Sequence, residues 1–251
     1  METMEMHPIA HMRSDFPTKF GIPRQSGLVE ELRSMIVFEP EYRSEDALRG
    51  IEDFSHLWLI WQFSQAVREG WSPTVRPPRL GGNTRMGVFA TRSPFRPNNL
   101  GLSCVRLLEV KHTQQYGTVL IVGGADLLDG TPIFDIKPYI PYSDSRPEAA
   151  GGFTDRVGDF LLKVDFPQEL LKKLPPDKQA AAIGVLSHDP RPSYQNQPGR
   201  VYGLSFGGRN PHRPECGAPL SPQNTSGQQR QGRSQGPAAQ NDRPGRQLLS
   251  F

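Results

Sequence analysis

Between Phe54 and Tyr139 the chain runs as one short apolar segment after another, parted by turn residues and without a stretch of helical period. Phe54–Phe63 sets the pattern. Leu57, Leu59, Trp61 and Phe63 alternate with His56, Trp58, Ile60 and Gln62, which is the two-residue period of a strand. Leu102–Lys111 and Tyr116–Ala125 read as paired strands around a polar turn. Thr131–Tyr139 reads as a further strand bounded by Pro132 and Pro138, Gly87–Thr91 as a short one, and Leu32–Phe38 as another. Successive strands with short turns and no helices between them predict a mainly β fold, an antiparallel barrel or a sandwich.

Helical signals are sparse before residue 160. Ser44 with Glu45 and Asp46 predicts a short helix ending at Gly50. Pro167–Leu174 and Pro176–His188 each carry proline near the first helical position, and the second has an alanine run. With a strand expected over Arg200–Phe206, they predict a small C-terminal α/β part. From Gly208 to Gly245 the chain is Gly, Pro, Gln, Ser, Asn and Arg with almost no large apolar residue. Such a segment buries too little to offset its ordering entropy and is expected to be a disordered basic tail. The division expected is 1–150, 151–208 and 209–251.

Several classes are disfavoured. Cys104 and Cys216 stand alone in the chain, which argues against a disulfide framework or a cysteine metal site and suits a reducing, cytoplasmic setting. Met1–Ala10 has Glu2, Glu5 and His7 and no apolar core of a signal peptide, and no apolar run is long enough for a membrane span. No Walker loop, dinucleotide fingerprint or zinc-protease motif occurs. The expectation is therefore no membrane and no metal.

Charge is placed unevenly. The net charge is +3, yet Arg68–Arg106 holds seven arginines, no lysine and one acid, Glu69. Val75–Leu102 is stiffened by prolines that lower the entropy lost in holding Arg76, Arg79, Arg85, Arg92 and Arg96. Guanidinium forks match phosphate geometry and stack on bases, so the segment is either an anion-binding surface or a solvated arginine loop. Phe89 and Phe95 are either stacking platforms or core residues; for Phe89, inside the expected strand, the core reading is preferred.

Asp126–Tyr139 is a second constellation. Asp129-Gly130 is a turn signal, and in the strand after it Asp135 and Lys137 share one face, Phe134 and Ile136 the other. The polar pair is either a surface ion pair or a carboxylate and ammonium pointing into a site. Pro23-Arg24-Gln25 and Ser55-His56 form a third, although a lone histidine in a strand is usually structural.

Taken together, these segments resemble the TrmO family of tRNA methyltransferases. The resemblance rests on Phe20–Gln25, Gly50–Trp58, the whole of Val75–Leu102, Asp126–Tyr142 and Asp189–Tyr194, and spans about residues 7–207. It implies a single-sheet antiparallel β-barrel with a small C-terminal subdomain, working as a homodimer. It also implies transfer of a methyl group from S-adenosylmethionine to N6 of N6-threonylcarbamoyladenosine at position 37 of tRNA. Carried over by motif, the cofactor site comprises Pro23, Arg24, Gln25, His56, Leu57, Arg92, Leu102, Asp126, Leu127, Leu128 and Asp129. Arg76, Arg79, Arg85 and Arg96 are left for tRNA phosphates. The tail from Arg209 departs from the family, and is read as a shifted frame or truncation, or as a segment adding nonspecific RNA affinity.

A sulfonium is cationic and suits carboxylate and aromatic neighbours, and its amino-acid carboxylate suits Arg92. The acceptor nitrogen lies between a purine and a carbamoyl group and is a poor nucleophile, so removing its proton helps. Asp135 is the candidate base, with Lys137 orienting or neutralising it. The alternative is a noncatalytic RNA-binding or regulatory protein on the same barrel, which would take up no S-adenosylmethionine in calorimetry.

Overall fold

The computed structural model describes residues 4–66, 70–156, 161–191 and 200–207. The strands are β1 (Ala10–Arg13), β2 (Arg33–Phe38), β3 (His56–Gln62), β4 (Thr74–Val75), β5 (Met86–Gly87), β6 (Leu100–Thr113), β7 (Gly117–Gly123) and β8 (Pro132–Pro138). The helices are α1 (Glu45–Leu48), α2 (Pro141–Asp144), α3 (Gln168–Leu171) and α4 (Pro176–Ser187). The expected 209–251 tail lies outside the described residues, as do Pro192, Ser193 and Tyr194.

Six strands form one antiparallel sheet in the order β1-β2-β7-β6-β3-β8. β8 also pairs with β1, through Ala10↔Ile133 and His11↔Pro132, so the sheet closes on itself as a barrel. Its interior is built by alternation. β3 points Leu57, Leu59 and Trp61 inward, and Met12, Ile36, Val105, Leu120, Val122 and Ile133 meet them from the other strands. β2 and β7 are buried over most of their length, which is why their sequences are nearly continuous apolar runs.

Two irregularities bend the wall. β6 slips register against β7 between Leu107 and Glu109. β8 slips against β3, where Ile60 faces Asp135 but Trp61 faces Ile133. The second bulge breaks the expected apolar stripe of Phe134 and Ile136: Ile133 and Ile136 pack on the core instead, because an extra residue resets the alternation.

A smaller core sits outside the barrel. α4 lays Ala181 and Val185 against Phe16, Val29 and Leu32, with Ile22, Leu204 and Phe206 at its edge. Gly184 keeps the helix close, since a Cβ there would lie 2.7 Å from a methyl of Val29. Residues 200–206 pass over this core without joining a ladder, so the strand expected there is absent. Their role is apolar contact; Phe206 meets Phe16 with ring centroids 5.6 Å apart.

The proline-rich segment also folds otherwise than expected. β4 and β5 make a two-stranded ladder, and Val88–Ala90 is a single tight helical turn and not a strand. Val88 is the buried anchor of that turn, while Phe89 is 71% exposed, so the core reading of Phe89 is overturned.

Candidate active site

Two loops are fastened together at the barrel mouth by backbone hydrogen bonds. Gly27 N–H donates to the carbonyl of Gly124 at 2.8 Å, and Gly124 N–H donates to that of Leu32 at 3.0 Å. Gly124 has φ of 68°, and a Cβ there would lie 3.1 Å from Gly27 Cα, so the Gly124 turn has no room for a side chain at the crossing. The clasp sets Pro23–Ser26 beside Asp126. Ser26 Oγ accepts a 3.2 Å bond from the Cys104 amide of β6, which fixes the loop across that strand.

Asp126 is the carboxylate on the floor of the cleft so formed. Ser103 Oγ donates to Asp126 Oδ1 at 2.6 Å, and Trp61 Nε1 donates to Ser103 Oγ at 2.9 Å. Trp61 and Ser103 are nearly inaccessible, so this line of bonds runs from the barrel interior to the cleft. Burial raises the Asp126 pKa above the ordinary carboxylate value, against the Ser103 hydrogen bond, backbone amides and the charge of Arg92, which all lower it. Arg92 is exposed and donates from Nη1 to Gln25 Oε1, linking the arginine segment to the Pro23–Ser26 loop from the solvent side.

The opposite wall is the arginine segment. Arg96 braces it from within, donating from Nη1 to the Thr91 carbonyl at 2.9 Å, and Asn99 Nδ2 donates to that of Pro94 at 2.8 Å. Lys19, Arg24, Arg76, Arg79, Arg85, Arg92 and Arg96 line the cleft, against Asp126 and the exposed Asp155. Its volume, about 2430 Å³, exceeds what one small molecule fills, roughly 300–1,000 Å³, and suits a polymeric anion. Partial burial, and then the like charge of Arg79, lower the Arg24 pKa, while Asp189 opposes the shift. The charges of Arg24 and Arg79 thus oppose one another along this wall of the cleft.

Of the residues expected from sequence, Pro23, Arg24, Gln25, Arg92, Leu102, Asp126 and Leu128 come together here with Arg76, Arg79, Arg85 and Arg96. The others do not line the cleft. Leu57 and Leu127 are wholly buried in the core. His56 stands at the start of β3, its Nδ1 2.9 Å from Ser55 Oγ and its ring 6.2 Å from that of Tyr139. Asp129 is held by the Ser14 amide at 3.2 Å, and its Oδ2 lies 4.0 Å from Arg13 Nη1. Asp135 and Lys137 form a solvent-accessible ion pair of 2.9 Å on β8, so the geometry of the chain gives their catalytic reading no support. Asp135→Asn is accordingly expected to leave the methylation rate within about twofold of the parent, as an exposed pair contributes little; single-turnover assays check this.

The donor set that does assemble fits S-adenosylmethionine chemically. It has a carboxylate for a cationic sulfur, guanidinium groups for an amino-acid carboxylate, and apolar surface at Leu100, Leu128 and the 52% exposed Leu102 for a purine. Among the described residues no cluster of three or more His, Cys, Asp or Glu is placed to hold a metal ion. No helix among them is long and apolar enough to cross a membrane.

Sequence reasoning missed Trp61, Ser103 and Gly101 as site residues. One signal was available: Ser103 is a lone hydroxyl on the inward face of β6, between Gly101 and Val105. Gly101 faces Trp61 across the ladder, and a Cβ there would lie 2.3–2.7 Å from the indole ring. Gly101→Ala is expected to displace the indole, destabilise the fold by about 1–3 kcal/mol through overpacking, and shift tryptophan emission. Chemical denaturation followed by fluorescence checks both effects.

The site is thus a shielded carboxylate below an arginine-lined cleft, carried on a mainly β fold and not on a nucleotide-binding α/β sheet. The profile of the tRNA-methyltransferase O N-terminal domain matches residues 11–145. A tRNA (adenine(37)-N6)-methyltransferase of Escherichia coli K12 is 42% identical over 212 residues, covering 81% of this chain and 90% of that protein. One of Eikenella corrodens is 49% identical over 153 residues, 61% of this chain and 85% of its own. A crystal structure of TrmO from Pseudomonas aeruginosa superposes with a TM-score of 0.64 at 34% identity, covering 82% of this chain and 89% of that one. The chain belongs to the TrmO family and is a methyltransferase.

Proposed function

We propose that the protein methylates N6 of adenine 37 in tRNA with S-adenosylmethionine, and that the acceptor adenine carries the N6-threonylcarbamoyl group. The observation that carries this reading is the pairing of one partly buried carboxylate, Asp126, with seven cations around a single cleft. The family relatives named for tRNA adenine-37 methylation supply the position, and the poor nucleophilicity of a carbamoylated nitrogen supplies the need for a base.

S-adenosylmethionine supplies an activated methyl group on a cationic sulfur. Arg92 and Arg24 would take its carboxylate, and Leu100, Leu102 and Leu128 its purine. Asp126 balances the cation and accepts the N6 proton. Trp61 and Ser103 hold that carboxylate in one orientation, as pre-organisation of a reacting group requires. Arg76, Arg79, Arg85 and Arg96 hold the tRNA backbone. The active unit in this reading is a cytoplasmic homodimer, for which sedimentation is the direct check.

The test is nucleoside mass spectrometry after incubating the protein and cofactor with threonylcarbamoylated tRNA. Methylated threonylcarbamoyladenosine is the expected product, and tRNA with unmodified adenosine at 37 should remain unmethylated. Equal methylation of both tRNAs would refute the substrate assignment and leave the position standing.

A further inference from the structure

Two large aromatic side chains remain in solvent beside the arginine wall. Trp71 is 54% exposed and Phe89 71%, with ring centroids 6.1 Å apart and planes inclined by 33°. The β4–β5 ladder brings them together: Thr74 pairs with Gly87, and Val88 N–H donates to the Pro73 carbonyl at 2.9 Å. Val88, nearly inaccessible, pins the turn that presents Phe89 outward. Arg96 stands over Phe89 with its guanidinium carbon 6.0 Å from the ring centroid, and its bonds to the Thr91 and Ser93 carbonyls keep it there.

We propose that Trp71 and Phe89, with Arg96 beside them, form a stacking site for an unpaired base of the substrate RNA next to the methylated nucleotide. This rests on the RNA reading above and names the part of the RNA that this edge of the cleft takes.

Three observations favour a nucleobase over an apolar peptide or a second copy of the chain. The surrounding segment, residues 70–102, contains five arginines and no acidic residue, so a ligand arriving here meets a positive field. Phe89 and Arg96 line the same cleft as Asp126, so a bound strand can reach both. A flat ring flanked by a guanidinium is the arrangement that stacks single-stranded bases without regard to sequence. The rings are too close to admit a base between them without moving, so the base stacks on the pair from outside.

Both side chains are exposed, so truncating them leaves the core untouched. The experiment titrates the full-length protein with an anticodon stem-loop RNA, reading anisotropy and tryptophan quenching at several salt concentrations. Phe89→Ala and Trp71→Ala are each expected to weaken binding by about tenfold to a hundredfold. The slope of affinity against salt should stay unchanged, and S-adenosylmethionine affinity by calorimetry should equal that of the parent. Phe89→Trp should restore binding, Trp71→Phe should abolish most of the quenching, and a stem-loop with abasic positions flanking 37 should bind the parent no better than the intact RNA binds Phe89→Ala. Unchanged affinity in both alanine variants, or equal binding of the abasic loop, overturns the proposal. So does dissociation of an oligomer by either variant with RNA affinity intact, which would assign the patch to self-association. A parent protein that binds no stem-loop at all overturns the RNA reading itself, and the stacking site with it.

Discussion

Asp126→Asn is expected to lower the methyl-transfer rate by about two to four powers of ten, the usual contribution of a positioned proton acceptor. Single-turnover kinetics on threonylcarbamoylated tRNA measure it, with calorimetry on S-adenosylmethionine alongside. A loss confined to cofactor affinity would make Asp126 a binding residue with no part in proton transfer. The pH dependence gives a second readout. Activity needs the carboxylate ionised, and burial raises its pKa, so the acid limb of the rate profile lies above the ordinary carboxylate range. The Ser103 hydrogen bond opposes that shift, so Ser103→Ala should move the limb to higher pH. The sign for stability is the reverse of a salt-bridged carboxylate. The folded state binds the proton more tightly than the unfolded chain does. The contribution is therefore most favourable below the unfolded pKa and is lost as pH rises through the raised folded value. At neutral pH Asp126→Asn should melt no lower than the parent, which separates a lost reaction from a lost fold.

Removing Arg76 and Arg85 together is expected to weaken tRNA binding by at least tenfold and to reduce the salt slope by roughly two, about one for each phosphate contact. Both side chains are exposed and line the cleft, and neither makes an ion pair among the described residues, so the fold is not at stake. Filter binding across a salt series measures both quantities. An unchanged slope would show that the two guanidinium groups touch no phosphate. Charge-preserving lysine variants should retain the slope while losing the fork geometry.

The barrel wall was legible because the two-residue period and the burial pattern coincide. In β3 each expected inward residue from Leu57 to Trp61 is buried. The cleft was legible in part, since Pro23–Gln25, Arg92, Leu102 and Asp126 belong to contiguous motifs. Where the reading stopped, the cause is geometric. Gly-Val-Phe-Ala looks like a strand by composition, but Val88 is fixed from across a ladder and the turn throws Phe89 outward. The inward faces of β8 depend on a bulge that no local pattern announces. The line from Trp61 through Ser103 to Asp126 joins residues 42 and 23 positions apart; the β3–β6 register sets Trp61 near Ser103, and the pairing of β7 with β6 leads the chain to Asp126. Asp135 shares its face with Lys137 as the alternation implied, but whether that face meets a ligand is not something alternation can reveal.

The clasp between Gly27 and Gly124 bears on how such a site can change over time. It joins the loop of Pro23–Ser26 to the turn holding Asp126 through main-chain bonds, and the Ser26 amide adds one to the Asp126 carboxylate, so neither can drift alone. Substitutions on the two loops should show strong epistasis, with Gln25 and Asp126 variants deviating from additivity in a double-mutant cycle although 101 positions separate them. Altered acceptor preference in this scaffold would then arise by exchanging both loops as one module.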